Sequence, residues 1–127
     1  MKKNTYDIAI VGGGIIGLST ALQITNTYPD LRLIVLEKEQ DLGLHHSSRN
    51  SGVIHSGIYY RPDSMKAKTC VSGARKMIEF AQEHNINYEI CGKVIVATNE
   101  IQIPRLEELY KRAKANGVKG IEMIAKE

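Results

Sequence analysis

An α/β fold opening on a β-α-β unit is what this sequence predicts, and three observations carry that prediction. The apolar run Ile8-Ala9-Ile10-Val11 leads directly into Gly12-Gly13-Gly14-Ile15-Ile16-Gly17. A stretch with Leu18, Ala21, Leu22 and Ile24 at helical spacing follows, and a second apolar run, Leu33-Ile34-Val35-Leu36, closes on Glu37 twenty positions beyond Gly17. Continuously apolar runs of this length suit parallel strands covered on both faces. The helix between them fades at Thr27-Tyr28-Pro29-Asp30, because Pro29 cannot continue it. The second strand is expected from about Leu31 to Glu37.

Each part of this pattern has a chemical reason. Gly12 permits the tight turn out of the first strand, and Gly14 lets backbone approach a pyrophosphate with no Cβ in the way. Gly17 lets the helix pack close to the strand, with its N-terminal N–H groups aimed at phosphate. Glu37 stands where a carboxylate accepts hydrogen bonds from ribose 2′- and 3′-hydroxyls, and where it repels a 2′-phosphate. A glycine-rich turn alone is a weak signal. Together with both strands, the helix and the acid, it predicts a Rossmann-like dinucleotide-binding unit.

From Lys38 to Pro62 no helical or strand period persists, and the segment is dense in His45, His46, Ser47, Ser48, Arg49, Asn50, Ser51, Gly52, His55, Ser56 and Gly57. A loop this long inside a compact domain is usually functional. Its hydroxyls, amide and glycines supply hydrogen-bonding groups that suit a pyrophosphate, and Arg49 adds positive charge. An amphipathic helix follows, capped by Asp63 or Ser64. Ala67, Cys70, Val71, Ala74, Met77, Ile78 and Ala81 line one face, and the helix ends near His84-Asn85. Tyr88-Glu89-Ile90 and Lys93-Val94-Ile95-Val96-Ala97 read as strands turning at Cys91-Gly92. A further helix starts at Pro104, presents Leu106, Leu109, Tyr110 and Ala113, and stops at Gly117. Ile121 to Ile124 reads as a last strand. Residues 1–85 are therefore expected to be the N-terminal part of the cofactor-binding domain. Residues 86–127 are expected to begin a second, α+β substrate domain that this chain leaves incomplete.

Composition bounds the function classes. The 127 residues are 43% hydrophobic and 24% charged, ordinary for a globular domain. The formal charge of +3 comes with basic and acidic residues interleaved, which argues against a nucleic-acid partner. Cys70 and Cys91 have neither metal-ligand nor CxxC spacing and sit in apolar contexts, so they read as reduced core residues of a cytoplasmic protein. The four histidines form no metal pattern, and no run reaches membrane-spanning length.

The segment SSRNSGVIHSGIYY, taken with IAIVGGGIIGLSTALQI and VLEKE, resembles the flavoenzymes of the D-amino-acid oxidase and glycerol-3-phosphate dehydrogenase superfamily. Within that group the pattern is most similar to the L-2-hydroxyglutarate dehydrogenases, also called oxidases. These carry an HNSGVIHSGIYY segment, a lysine-containing helix and a CGK turn; here the same places read RNSGVIHSGIYYRPDSMKAK and CGKVIVA. Arg49 stands where that family often has His.

The resemblance implies FAD as cofactor, held by Gly12, Gly14, Gly17, Glu37, Lys38, Ser47, Ser48, Arg49, Asn50, Ser51 and Gly52. It also implies oxidation of a 2-hydroxy dicarboxylate, L-2-hydroxyglutarate, with electrons passed to a quinone or to oxygen. A peripheral membrane contact is left open for the full-length protein, with this chain an N-terminal fragment inactive by itself. His55 is the catalytic candidate, able to exchange protons near neutral pH; a histidine that only hydrogen-bonds the loop is the alternative. Tyr59 and Tyr60 suit a pocket wall better than chemistry, and Lys66 and Lys68 suit an exposed helix face. Two other functions fit the same motifs. One is a sister flavoenzyme for an amino acid or glycerol 3-phosphate, and the other is a non-catalytic dinucleotide-binding fragment.

Overall fold

The computed structural model describes residues 5–124 and divides into two compact units, Met1–Val53 and Ile54–Glu127. In the first unit, strand β1 (Ile8–Val11), helix α1 (Ile15–Thr27) and strand β2 (Leu33–Leu36) form the expected sequence of strand, helix, strand. The strands pair in parallel, with Ile8 opposite Leu33 and Val11 opposite Leu36. Backbone bonds extend the pairing at both ends. Asp7 N–H donates to the Arg32 carbonyl at 2.8 Å, and Gly12 N–H donates to the Leu36 carbonyl at 2.8 Å. The Asp7 carboxylate closes the far end by accepting from Arg32 N–H at 2.8 Å. Hydroxyls of Ser19, Thr20, Thr25 and Thr27 donate back to carbonyls one turn earlier along α1, so these polar side chains are satisfied without leaving the helix.

In the second unit, helix α2 (Met65–Glu83) starts where Ser64 Oγ accepts from Ala67 N–H at 3.2 Å, so Ser64 rather than Asp63 is the cap. It stops in a Schellman turn. Asn85 adopts φ 53°, Asn85 N–H donates to the Gln82 carbonyl, and Ile86 N–H donates to the Ala81 carbonyl at 2.8 Å. A 3₁₀ turn at Glu100–Gln102, with Asn99 Oδ1 accepting from Gln102 N–H, leads into helix α3 (Ile103–Ala115). This helix ends the same way, with Gly117 at φ 74° and Val118 N–H on the Ala113 carbonyl at 3.0 Å. Among the described residues the buried apolar side chains are Ala67, Ala81 and Ala113.

Three sequence expectations need correction. The strands expected at 88–90, 93–97 and 121–124 are absent, and among the described residues the one sheet is β1 with β2. Residues 94–97 do alternate between exposed and half-buried, as a strand does, but a strand exists through its hydrogen-bonded neighbour and no strand among the described residues pairs with them. The two-sided cover expected for β1 and β2 is also missing: Val11 is 85% exposed and Leu36 48%. Finally, Cys91 is exposed and only Cys70 is half-buried, so the pair is not a core pair. The compact units part between Val53 and Ile54. The expected boundary near residue 85 concerns the domains of a larger protein and stands as a proposal.

Candidate cofactor site

The site begins where β1 ends. Gly12 turns the chain with φ 107°, a conformation that favours glycine. Gly13, buried, is fixed on both of its backbone groups: its N–H donates to Glu37 Oε2 at 2.7 Å and its carbonyl accepts from Gly43 N–H at 3.0 Å. A Cβ on Gly13 would come 2.5 Å from Leu42 Cδ2 and 3.1 Å from Glu37 Oε2. Sequence reasoning passed over Gly13, which occupies a variable position of the motif. The signal was there in the unbroken run of three glycines.

Gly14 caps α1 with φ −79° and ψ 177°, extended backbone open to any residue. What crowds it is Ser47, whose Oγ lies 3.2 Å from where a Cβ would stand. A Cβ on Gly17 would collide with the carbonyl oxygen of Gly12. That contact is the close helix–strand approach expected of this glycine, and it is made against backbone, which has no rotamer to yield.

The start of α1 is organised to meet an anion. Its first intrahelical bond runs from Leu18 N–H to the Gly14 carbonyl at 2.9 Å, so the N–H groups of Ile15, Ile16 and Gly17 fall outside the helix's own ladder. Ile15 N–H donates to Ser47 Oγ at 2.8 Å, across 32 residues. The hydroxyl-rich loop is thereby tied to the helix terminus that the glycines leave open.

Glu37 gathers three backbone donors. Besides Gly13 N–H on Oε2, its Oε1 accepts from Lys38 N–H at 2.8 Å and Glu39 N–H at 3.1 Å. These bonds hold the carboxyl below its ordinary pKa, with the Gly13 bond the largest cause, then Glu39. Burial opposes them, while the Lys38 bond and the electrostatic influence of nearby His45 act with them. The carboxylate is therefore ionised at neutral pH. With about four lone-pair positions on its two oxygens, it keeps acceptor capacity for a ribose hydroxyl.

The remaining predicted residues divide. Asn50 builds the loop: its Nδ2 donates to the His46 and Ser47 carbonyls at 3.0 and 2.9 Å, and its Oδ1 accepts from Gly52 N–H at 2.8 Å. Gly52 sits at φ 64°. Ser48 and Arg49 donate backbone N–H to the His45 carbonyl, while the Arg49 side chain is exposed and makes no ion pair among the described residues. Ser51 is exposed. Lys38 points its ammonium to Glu39 at 3.5 Å, so its N–H and not its charge serves Glu37. His55 lies in the second unit, exposed, with its carbonyl accepting from Cys70 Sγ at 3.2 Å. Burial pushes the Cys70 thiol up. The structure thus brings Gly12, Gly13, Gly14, Gly17, Glu37 and Ser47 together, with Asn50 and Gly52 in the adjoining turn.

A parallel β-α-β unit whose crossing helix starts on close-packed glycines, with an ionised glutamate at the end of the second strand, defines a dinucleotide-binding protein. The comparison with known families narrows the class. A model of the FAD dependent oxidoreductases matches residues 7–127, and the chain belongs to that family. It is similar to the mitochondrial L-2-hydroxyglutarate dehydrogenase of Homo sapiens, 51% identical over 124 residues, which are 98% of this chain and 27% of the relative. It is similar to that of Nematostella vectensis, 54% identical over 121 residues, 95% of this chain and 26% of the relative. The L-2-hydroxyglutarate dehydrogenase of Escherichia coli is 48% identical over 113 residues, 89% of this chain and 27% of the relative. The chain spans under a third of the length of these curated relatives.

Proposed function

We propose that the chain forms the N-terminal, FAD-holding part of an enzyme that oxidises L-2-hydroxyglutarate to 2-oxoglutarate. The observation that carries the reading is the glycine turn locked to Glu37, because it presents the α1 terminus to a pyrophosphate and a carboxylate to a ribose from one rigid piece. About 50% identity to L-2-hydroxyglutarate dehydrogenases over almost the whole chain supports the choice of substrate. Gly12, Gly14 and Gly17 shape the phosphate cradle, and Glu37 accepts from a ribose hydroxyl. Ser47, Ser48, Asn50, Ser51 and Gly52 offer hydroxyl, amide and backbone groups to the rest of the cofactor, with Arg49 supplying positive charge and Lys38 holding Glu37 through its backbone N–H.

Bound FAD supplies the two-electron acceptor for the hydrogen that leaves the substrate's α-carbon. Oxidation removes that hydrogen with its electron pair and the hydroxyl proton, and leaves the 2-oxo acid. His55 takes the hydroxyl proton in this reading. The electrons go on to a quinone or to oxygen. No helix among the described residues is long and apolar enough to cross a membrane. A cytoplasmic location is a separate part of the proposal, and a peripheral membrane contact of the full-length protein is left open.

The test is a full-length preparation. It should purify yellow, release FAD on heating, and form 2-oxoglutarate from L-2-hydroxyglutarate with an artificial acceptor. A yellow protein that ignores L-2-hydroxyglutarate but oxidises an amino acid or glycerol 3-phosphate would move the substrate and keep the cofactor. A colourless protein with no FAD affinity would overturn both.

A further inference from the structure

The second unit holds one long-range clamp that the sequence did not announce. Asn116 ends α3, yet its side chain is not spent on the helix. Its Nδ2 donates to the Gly57 carbonyl at 3.0 Å and to the Tyr60 carbonyl at 2.9 Å, 59 and 56 residues away. Both acceptors are carbonyl oxygens, so only the amide nitrogen can serve them and the orientation of the amide is fixed. The Gly57 carbonyl also receives Tyr60 N–H at 3.3 Å, so Asn116 spans the mouth of a four-residue turn.

Other contacts press the same segment into place. Gly57 adopts φ 89°, and a Cβ there would stand 2.8 Å from Val71 Cγ2 on α2. Cys70 Sγ, also on α2, donates to the His55 carbonyl at 3.2 Å, and Lys93 Nζ lies 4.5 Å from the Tyr59 ring centroid. The backbone from His55 to Tyr60 thus meets side chains from two separate places in the chain, α2 and Asn116, while Lys93 covers the Tyr59 ring. Among these clamps only Asn116 joins both ends of the turn.

We infer that Asn116 is a positioning residue: by fixing the turn Gly57–Tyr60 it fixes the backbone that carries His55, and so the line along which that imidazole meets the substrate hydroxyl. This rests on the reading of His55 as proton acceptor. Misplacing a reacting group by about 1 Å costs on the order of a hundredfold in rate. The Gly13–Glu37 and Ile15–Ser47 bonds do not involve Asn116, so cofactor content and turnover should separate.

The experiment uses the full-length holoenzyme. Asn116→Ala should keep FAD content and the thermal midpoint near wild type while kcat falls about ten- to a hundredfold. Asn116→Asp sets a carboxylate against two carbonyl oxygens; protonation restores one donor, so its kcat relative to wild type at the same pH should rise as pH is lowered, and that of Asn116→Ala should not. Wild-type kcat in Asn116→Ala overturns the inference, as does a loss of kcat that tracks loss of FAD and of folded protein in both variants. If His55→Ala turns over like wild type, the reading of His55 fails instead. The clamp itself is then decided by hydrogen exchange at the Tyr60 amide, faster in Asn116→Ala if Asn116 holds the turn and unchanged if it does not.

Discussion

Gly17 and Gly73 both lie inside helices, α1 and α2, and replacing each with Ala should have opposite effects. On helix propensity alone both substitutions stabilise, by about 0.8–1 kcal/mol, since Ala loses less backbone freedom than Gly. At Gly73 nothing lies within 4 Å of the new Cβ, so that gain should appear nearly whole. At Gly17 the Cβ collides with the Gly12 carbonyl oxygen and also meets Ile10 Cγ2 at 3.4 Å. The oxygen belongs to the turn that Gly12 N–H anchors to Leu36, so relief must come from sliding α1 away from β1. Overpacking of this kind costs about 1–3 kcal/mol, enough to cancel the propensity gain or reverse it.

The displacement should also reach the cofactor, because it moves the N–H groups of Ile15 and Ile16 relative to Glu37. One lost charge-assisted hydrogen bond of about 1.5 kcal/mol corresponds to a weakening of FAD affinity by about tenfold. Urea denaturation of the full-length apoprotein reads the stability difference, and quenching of flavin fluorescence reads the affinity. A Gly17→Ala protein that is stabilised like Gly73→Ala and binds FAD unchanged would refute the packing argument and with it the assignment of the phosphate turn.

Glu37→Gln should weaken FAD binding about tenfold or more, because an amide has one accepting oxygen where three N–H groups now converge; an unaltered dissociation constant would show that Glu37 merely ends a strand. The pH dependence follows from the same bonds. With the folded pKa of Glu37 below its ordinary value, the stabilisation is present above the unfolded pKa and lost as pH falls through the folded one, so acid should loosen the wild-type turn and Glu37→Gln should flatten that limb. Ser47→Ala removes the acceptor for Ile15 N–H and should lower apoprotein stability by about 1 kcal/mol, the usual cost of a lost helix cap; an unmoved urea midpoint counts against the tie. The 127-residue chain by itself should bind hydrophobic dyes and scatter light, since Ile16, Val94 and Ile101 are each more than 80% exposed; a clear, cooperatively unfolding monomer contradicts this.

Local signals in the sequence carried the first unit well. The strand–glycine–helix–strand order and the helix end at Thr27 follow from residues a few positions apart, as do the helix ends at His84 and near Gly117 in the second unit, and the parallel pairing follows from the two apolar runs joined by one helix. Glu37 was legible as an acceptor, but its three backbone donors were not, because they depend on how residues 12–14 and 37–39 fold back on each other. Ser47 stood out as a loop hydroxyl, while its place on Ile15 is set by a fold-back over 32 residues. Lys38 was implied as a cofactor residue by the resemblance alone, and in the structure its backbone N–H serves Glu37 while its ammonium faces Glu39.

The strands expected after Tyr88 failed for a related reason. Val94, Ile95 and Val96 are residues that fit a pleated surface, and their exposure alternates as that surface requires. Propensity of this kind describes readiness to pair and names no partner. The glycines behave differently, because what decides Gly13 and Gly17 lies within the same β-α-β unit. Gly17 is held against Gly12 five residues earlier, and Gly13 against an acid 24 residues later at the end of the neighbouring strand. A motif whose geometry closes on itself can be read from one sequence, and its constraints can be broken by one methyl group. A segment whose geometry closes on something far along the chain, as the turn at Gly57 closes on Asn116, has to be seen folded before the responsible residue can be named.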